Sequence, residues 1–169
     1  MSIALDTNVL VRILVQDRSA PDQCAAARRL VADATATGET LLVTLCALLE
    51  TEWVLRSRYQ VGRAAMTAAW IAMLETPGIE FEHDATVEEA LFLFDQFPAA
   101  DFADCLLHAR ALHLGSSRFV TFDAGAARLP HASNGVNCDR LATRRQVRSL
   151  RPGKLSYWGP PQKTEKIVR

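Results

Sequence analysis

Lysine is absent from the first 138 of the 169 residues, and all three lysines of the chain lie beyond residue 153. Receiver-type domains and haloacid-dehalogenase-like phosphatases place aspartates at strand ends but need a lysine in the pocket, so both fit this sequence poorly. Loops of the types G-x-x-x-x-G-K-[ST], G-x-G-x-x-G and G-x-S-x-G are also absent. Nucleoside-triphosphate binding, dinucleotide binding and serine-hydrolase chemistry therefore have no support.

Long apolar runs and paired cysteines are missing too. No apolar stretch reaches the roughly 18 residues that a membrane helix needs, and the N-terminus lacks the regions of a signal peptide. The cysteines show neither a C-x-x-C pair nor zinc-like spacing with the histidines; they are Cys24, Cys46, Cys105 and Cys138. We therefore expect a cytoplasmic protein with reduced thiols and no membrane partner.

Charges of opposite sign are concentrated in different parts of the chain. Residues 1–138 carry ten arginines against seventeen acidic residues, a charge of −7, whereas residues 139–169 carry a charge of +7. A polyanion would need metal ions, the basic tail or a local arginine patch to approach the acidic body. The tail is either such an arm or a solvated extension, and its Tyr157 and Trp158 either stack on single-stranded nucleic acid or cover an apolar patch.

The size of the chain and its 49% apolar content suit one globular domain with a substantial core. Apolar periodicity predicts short strands alternating with helices, which indicates an α/β sandwich around a mainly parallel sheet. The predicted strands are 2–5, 40–44, 79–81 and 118–121, and the predicted helices begin after Asp6 and cover 21–38, 45–58, 62–75, 85–97 and 101–114. After Pro130 the pattern fades, although one edge strand could lie around Val136.

Two aspartates directly follow predicted strands. Asp6 comes after the first strand and Asp123 after the fourth. Because ligands of parallel α/β sheets gather beyond the carboxyl ends of the strands, both side chains are candidates for one site. For Asp6 an alternative is a helix cap, since Asp-Thr-Asn is good capping sequence.

A third acid, Glu50, lies on the predicted helix 45–58. Cys46 and Val54 flank it at i−4 and i+4, so we expect it to project from an apolar stripe and to be buried. Glu52 instead has Arg56 four residues on, an arrangement typical of a solvated surface pair. A buried carboxylate needs a metal or a cation, which makes Glu50 either a site residue or an arginine-paired structural glutamate.

The helix that opens at Asp101 places Asp101, Asp104 and His108 on one face. Asp101 is either a site residue or the N-cap. Asp104 could simply favour the positive end of the helix dipole, but its apolar neighbours predict partial burial. His108 could touch a substrate or lie in the core.

Carboxylates that lie close together repel one another unless divalent cations neutralise them. Mg²⁺ or Mn²⁺ suits oxygen ligands of this kind, and its remaining coordination positions can go to phosphate oxygens. Metal-assisted hydrolysis of a phosphodiester is the natural reaction for such a site. Three arginines, Arg12, Arg56 and Arg58, are possible phosphate contacts.

Four segments together resemble one family. They are ALDTNVLVRIL, LCALLETEWVLRSRY, ADFADCLLHARA and FVTFDAGAARL, which lie in this order within residues 1–130. The sequence is similar to PIN-domain ribonucleases, specifically the VapC toxin branch of bacterial toxin-antitoxin pairs. The resemblance implies a three-layer α/β/α sandwich, Mg²⁺- or Mn²⁺-dependent endoribonuclease activity on RNA, a homodimer, and inhibition by a cognate antitoxin protein.

The resemblance also assigns roles. Asp6 and Asp104 match the principal metal ligands, Glu50 matches the second acid, and Asp123 matches the fourth. Small polar residues and a further acid match supporting or substrate-binding positions; these are Thr7, Asn8, Thr121 and Asp101. Residues 131–169 match nothing in the family pattern, so we expect a nuclease domain over 1–130 followed by a polar, basic extension, poorly ordered in part. A non-catalytic binding module and a metal-dependent DNA nuclease on the same scaffold remain alternatives.

Overall fold

The computed structural model describes residues 2–135. The helices of this part are α1 (Thr7–Leu14), α2 (Pro21–Thr37), α3 (Leu45–Arg58), α4 (Arg63–Leu74), α5 (Asp84–Gln96) and α6 (Phe102–His113), with a short 3-10 helix at Ala126–Arg128. The strands are β1 (Ser2–Ala4), β2 (Thr40–Val43), β3 (Ile79–Phe81), β4 (Phe119–Thr121) and β5 (Ala132–Asn134). None of these helices is long and apolar enough to cross a membrane.

The strands form two parallel ladders. β2 lies between β1 and β3, with Leu41 opposite both Ile3 and Ile79. β4 pairs with β5 in a second ladder, in which Val120 lies opposite Ser133. Parallel neighbours need crossover connections, which the helices supply. The predicted α/β/α fold with a mainly parallel sheet is confirmed.

The core lies between the helices and the strands. α1 packs against α2 and α3, α5 packs against α6, and β3 contacts α4 and α5. Fully buried leucines such as Leu10, Leu48 and Leu55 join these layers. Burying a side chain of this size contributes roughly 1.5–3 kcal/mol relative to leaving it exposed. This packing holds α1 against α3.

One strand lies where the sequence pattern had faded. β5 covers Ala132–Asn134, short of the predicted position around Val136, and its side chains are only partly buried. Its residues carry no apolar alternation, so periodicity gave no signal; pairing with β4 defines the strand instead. Val136, Cys138, Tyr157 and Trp158 lie outside the described residues, and the division of the chain at residue 130 stays a prediction.

Candidate functional site

Asp6 lies where the chain passes from β1 into α1. It is the N-cap of α1: its Oδ1 accepts a hydrogen bond from the backbone N–H of Thr7 at 2.8 Å. Its Oδ2 accepts one from Nδ2 of Asn8 at 2.7 Å. The carboxylate is therefore both a helix cap and an exposed acid at a strand end, so the cap proposed from the sequence is real and leaves the outer lone pairs available to a cation.

Glu50 projects from α3 toward the same place. Its Oε2 accepts a hydrogen bond from Oγ1 of the buried Thr7 at 2.8 Å. The Thr7 hydroxyl thus ties the acid of α3 to the first turn of α1. Asp6, Asn8 and Glu50 lie together in one groove between the two helices.

The predicted burial of the two glutamates of α3 was wrong. Glu50 is exposed, whereas Glu52 is only 3% exposed and binds Nε of Arg56 through Oε1 at 2.9 Å. The stripe that flanks Glu50 misled the interpretation because Cys46 is itself exposed. Glu50 is therefore linked to the site by its hydrogen bond to Thr7 and not by burial.

Asp101 and Asp104 start α6 as a capping box. Oδ1 of Asp101 accepts from the backbone N–H of Asp104 at 2.8 Å, and Oδ2 of Asp104 accepts a longer bond from the N–H of Asp101 at 3.4 Å. Asp101 is exposed and Asp104 is partly buried, as its apolar neighbours predicted. The two carboxylates are consequently fixed in their rotamers by the helix that they cap.

Asp123 is held in the loop after β4. The hydroxyl Oγ1 of Thr121 accepts from the backbone N–H of Asp123 at 3.0 Å, and Oδ1 of Asp123 accepts from the N–H of Ala126 at 2.8 Å. The loop can close on the segment before α6 because Gly125 has no side chain. A Cβ at position 125 would lie 2.0 Å from the carbonyl oxygen of Ala99.

The loop brings a third carboxylate to Asp101 and Asp104. The pKa of Asp104 is raised above its ordinary value, first by burial and then by the negative charges of Asp101 and Asp123. Both effects disfavour a carboxylate that nothing neutralises. The first turn of α6 and the loop after β4 therefore place three negative charges near one another.

The carboxylate oxygens of these acids are ligands that suit a hard divalent cation such as Mg²⁺. Among residues 2–135, no three Asp, Glu, His or Cys side chains converge on a common metal position. Mg²⁺ commonly keeps several waters and binds through one or two carboxylates and substrate phosphates, so it does not require such a cage. The contacts join the acids in two groups: Asp6 with Glu50 through Thr7, and Asp104 with Asp101 and Asp123.

A groove of about 250 Å³ continues from Asp6 and Glu50 along α1 and α3. Its lining includes Val11, Arg12, Val54, Arg58 and Tyr59. Tyr59 did not emerge from the sequence, because it ends α3 and its contacts to Arg12 and Asp17 span more than forty residues. No periodic signal reports contacts of that range.

Two neighbours of the acids take no part in the site. His108 is 1% exposed, bonds the carbonyl oxygen of Pro130 through Nε2 and packs edge-on against Phe119, so it is a core residue. Burial raises the pKa of the Cys105 thiol to about 12. That thiol stays protonated and is no nucleophile.

A comparison with curated proteins gives no match. The family model described as "PIN domain" matches residues 3–132, a span that contains both groups of acids and the groove. The chain therefore belongs to the PIN domain family.

Proposed function

We propose that this protein is a metal-dependent endoribonuclease that hydrolyses phosphodiester bonds of RNA. One observation carries the proposal. Asp6, Glu50, Asp104 and Asp123 form no ion pair among the described residues, whereas the nearby Glu52 and Asp17 each bind an arginine. Burial and the charges of Asp101 and Asp123 also raise the pKa of Asp104, so a divalent cation would favour the ionised form of this cluster.

The family supports the coarser part of this function, because PIN domains are generally metal-dependent nucleases. The choice of RNA and the role as a VapC-type toxin rest on the resemblance of the four segments. As such a toxin, the protein would act in the cytoplasm as a homodimer and would be inhibited by a cognate antitoxin.

The proposed roles of the four acids follow the family resemblance. Asp6 and Asp104 would hold Mg²⁺ or Mn²⁺, and Glu50 and Asp123 would orient water or a second ion. A bound ion would stabilise the charge on the phosphate oxygens and activate water for attack.

The remaining polar groups position the acids. Asn8 holds one oxygen of Asp6, Thr7 holds one oxygen of Glu50, and Asp101 fixes the backbone that carries Asp104. Thr121 holds the backbone of Asp123. Acids that are fixed before substrate arrives avoid reorganisation during the reaction.

The test is cleavage of total cellular RNA by the purified protein with Mn²⁺. We expect discrete fragments from the wild type, none with a chelator, and at least a hundredfold slower cleavage by Asp104→Asn, in the range that removing one catalytic electrostatic contact costs. Asp33→Asn is the matched control, because Asp33 is an exposed acid of α2 outside the site. It should cleave as the wild type does.

Calorimetry with Mn²⁺ alone separates the alternatives. No cleavage of RNA or DNA and no binding of Mn²⁺ would favour a non-catalytic binding module. Cleavage of single-stranded DNA in preference to RNA would make the protein a DNA nuclease. Equal rates for wild type and Asp104→Asn would refute the proposed site.

A further inference from the structure

Arg63 lies at an unusual position for an arginine. It is the first residue of α4, and Gly62 before it gives the helix no side-chain cap. A cation at this end lies near the positive end of the helix dipole, which is unfavourable within α4. Among residues 2–135, Arg63 also forms no ion pair with a carboxylate. Its side chain finds its partners in another part of the fold.

The guanidinium of Arg63 binds three backbone carbonyl groups around the end of α5. Nη1 donates to the oxygen of Phe94, and Nη2 donates to those of Pro98 at 3.1 Å and Ala100 at 2.7 Å. The guanidinium also lies over the ring of Phe94, 3.6 Å from its centre. One planar group thus joins the last turn of α5 to the α5–α6 linker, which comprises residues 97–100.

The linker also contacts the loop after β4. The carbonyl group of Ala99 lies between the two linker carbonyls that Arg63 binds, and its oxygen would be 2.0 Å from a Cβ at Gly125. The same Cβ would lie 3.0 Å from Oδ1 of Asp123. Neighbouring peptide groups of the linker therefore touch the guanidinium and the loop that carries Asp123.

The linker leads directly into the acids at the start of α6. Ala100 is 1% exposed and precedes Asp101, whose carboxylate accepts a hydrogen bond from the N–H of Asp104. A shift of the linker would move this cap and the contact with the loop together. The separation of Asp104 from Asp123 therefore depends on where the linker lies.

Capping of α5 alone does not account for these contacts. An arginine can satisfy the last carbonyl groups of a helix, and Phe94 supplies one of them. Pro98 and Ala100 lie beyond the end of α5, so two of the three hydrogen bonds of Arg63 go to the linker.

We propose that Arg63 is a positioning residue, which fixes the linker against the loop after β4 and thereby sets the distance between Asp104 and Asp123. The expected effect on cleavage rests on the proposed function, whereas the effect on the two segments does not. Arg63 would act through backbone groups, as residues that orient metal ligands from outside the coordination sphere do.

The first measurement is amide hydrogen exchange, which needs no catalysis. The N–H of Asp104 reports on the cap of α6, and the N–H of Ala126 reports on the loop after β4. We expect both to exchange about tenfold faster in Arg63→Ala, because the segments that carry the acids open more often.

The second measurement is steady-state cleavage of RNA at saturating Mn²⁺. Arg63→Ala should lower kcat about tenfold or more while KM stays within about twofold, because the residue acts on the acids and not on the substrate. Calorimetry should show Mn²⁺ binding weakened by about tenfold as well. Arg63→Lys keeps the charge but offers one nitrogen in place of the planar group, so it should recover part of each loss.

Met73→Ala is the matched control. Met73 is 4% exposed and lies near the other end of α4, about 15 Å from Arg63 at 1.5 Å per residue. Its truncation destabilises the core at a distance from the linker, so kcat and both exchange rates should stay near those of the wild type. All rates are taken at a temperature at which circular dichroism shows that each variant is folded.

The outcomes separate the two proposals. Wild-type exchange at both amides in Arg63→Ala, an equal drop of kcat in Met73→Ala, or a loss confined to KM would overturn the positioning role. Faster exchange at both amides, without cleavage under any metal, would keep the positioning role and refute the nuclease. If Arg63→Ala does not fold, Arg63→Lys decides by the same measurements, with smaller changes expected in the same direction.

Discussion

At the scale of single residues, the acids of the site also act as caps. Asp6, Asp101 and Asp123 each accept a hydrogen bond from a backbone N–H at the start of a helix or turn. Charge and capping can therefore be separated by the choice of substitution, since asparagine caps as well as aspartate does.

At Asp101, two substitutions can separate the effect of the charge from the effect of the helix cap. We expect Asp101→Asn to leave the free energy of unfolding nearly unchanged, because its amide oxygen still accepts from the N–H of Asp104. Asp101→Ala should lower it by about 1 kcal/mol through loss of the cap. Urea unfolding of both variants measures the difference. Equal destabilisation would show that the charge, and not the cap, matters for folding.

The hydrogen bonds of Asp17 should make the stability of the fold depend on pH. Its hydrogen bonds with Ser19, Tyr59 and Arg12 lower its pKa below the ordinary 3.8. A carboxyl with a lowered folded-state pKa stabilises the fold fully above its unfolded value and loses this effect as the pH falls through the folded one. The stability difference between wild type and Asp17→Asn should stay constant from pH 7 to pH 5 and shrink only below about pH 4.

Denaturant melts at several pH values test this expectation. A difference that narrows already between pH 7 and pH 5 would contradict it. The same variant removes the partner of Arg12, so its guanidinium becomes free in the groove.

Residue-scale predictions from the sequence succeeded where the signal was local. The partial burial of Asp104 followed from its neighbours on the helix. Burial of Glu50 did not follow from Cys46 and Val54, because α3 has apolar side chains on more than one face and Trp53 is 59% exposed. Which face turns inward is decided by packing against α1, and that contact is not encoded in spacing.

At the scale of elements, most boundaries could be read from capping and periodicity. α3 begins and ends at the predicted residues, and Gly38, with a φ of 69°, ends α2 as its left-handed cap. β5 escaped prediction because Ala132, Ser133 and Asn134 are small or polar. Its existence depends on hydrogen bonds to β4, which no local pattern reports.

The position of the loop after β4 depends on the absence of a side chain at Gly125. Gly125→Ala would push its Cβ to 2.0 Å from the carbonyl oxygen of Ala99, so the backbone must move and Asp123 with it. We expect a loss of about 1–3 kcal/mol, as for overpacking, together with slower RNA cleavage.

Gly62→Ala is the control, since a Cβ there meets nothing within 4 Å and the φ of −76° is ordinary. Its effect on stability should stay below about 1 kcal/mol. Thermal melts and cleavage rates test the pair. A Gly125→Ala protein with wild-type stability and rate would mean that the loop need not approach α6 closely.

At the scale of the whole molecule, charge is divided between an acidic body and a basic tail. The excess of acid over base in residues 1–138 opposes the approach of RNA at low salt, and ions at the acid groups would reduce this repulsion. The sequence predicted the fold and named the candidate acids, but the groove required the structure, because its two walls are far apart along the chain.

Removing the metal should abolish RNA cleavage without unfolding the protein. Each capping acid already receives hydrogen bonds from a helix or turn, so a bound ion should contribute only the modest stabilisation of mass-action binding. We expect a chelator to abolish cleavage while it lowers the melting temperature by only a few degrees. Circular dichroism melts with and without Mn²⁺ measure this, and collapse of the fold on chelation would contradict it.

The caps thus have a consequence for how the protein behaves when ions are scarce. Because backbone N–H groups hold the acids in place, the site can keep its geometry without a metal ion. The metal would then control activity and would not be needed to hold the fold together. Dormant protein would regain its activity as fast as ions bind, with no refolding step. Its output in a cell would then follow the supply of free magnesium.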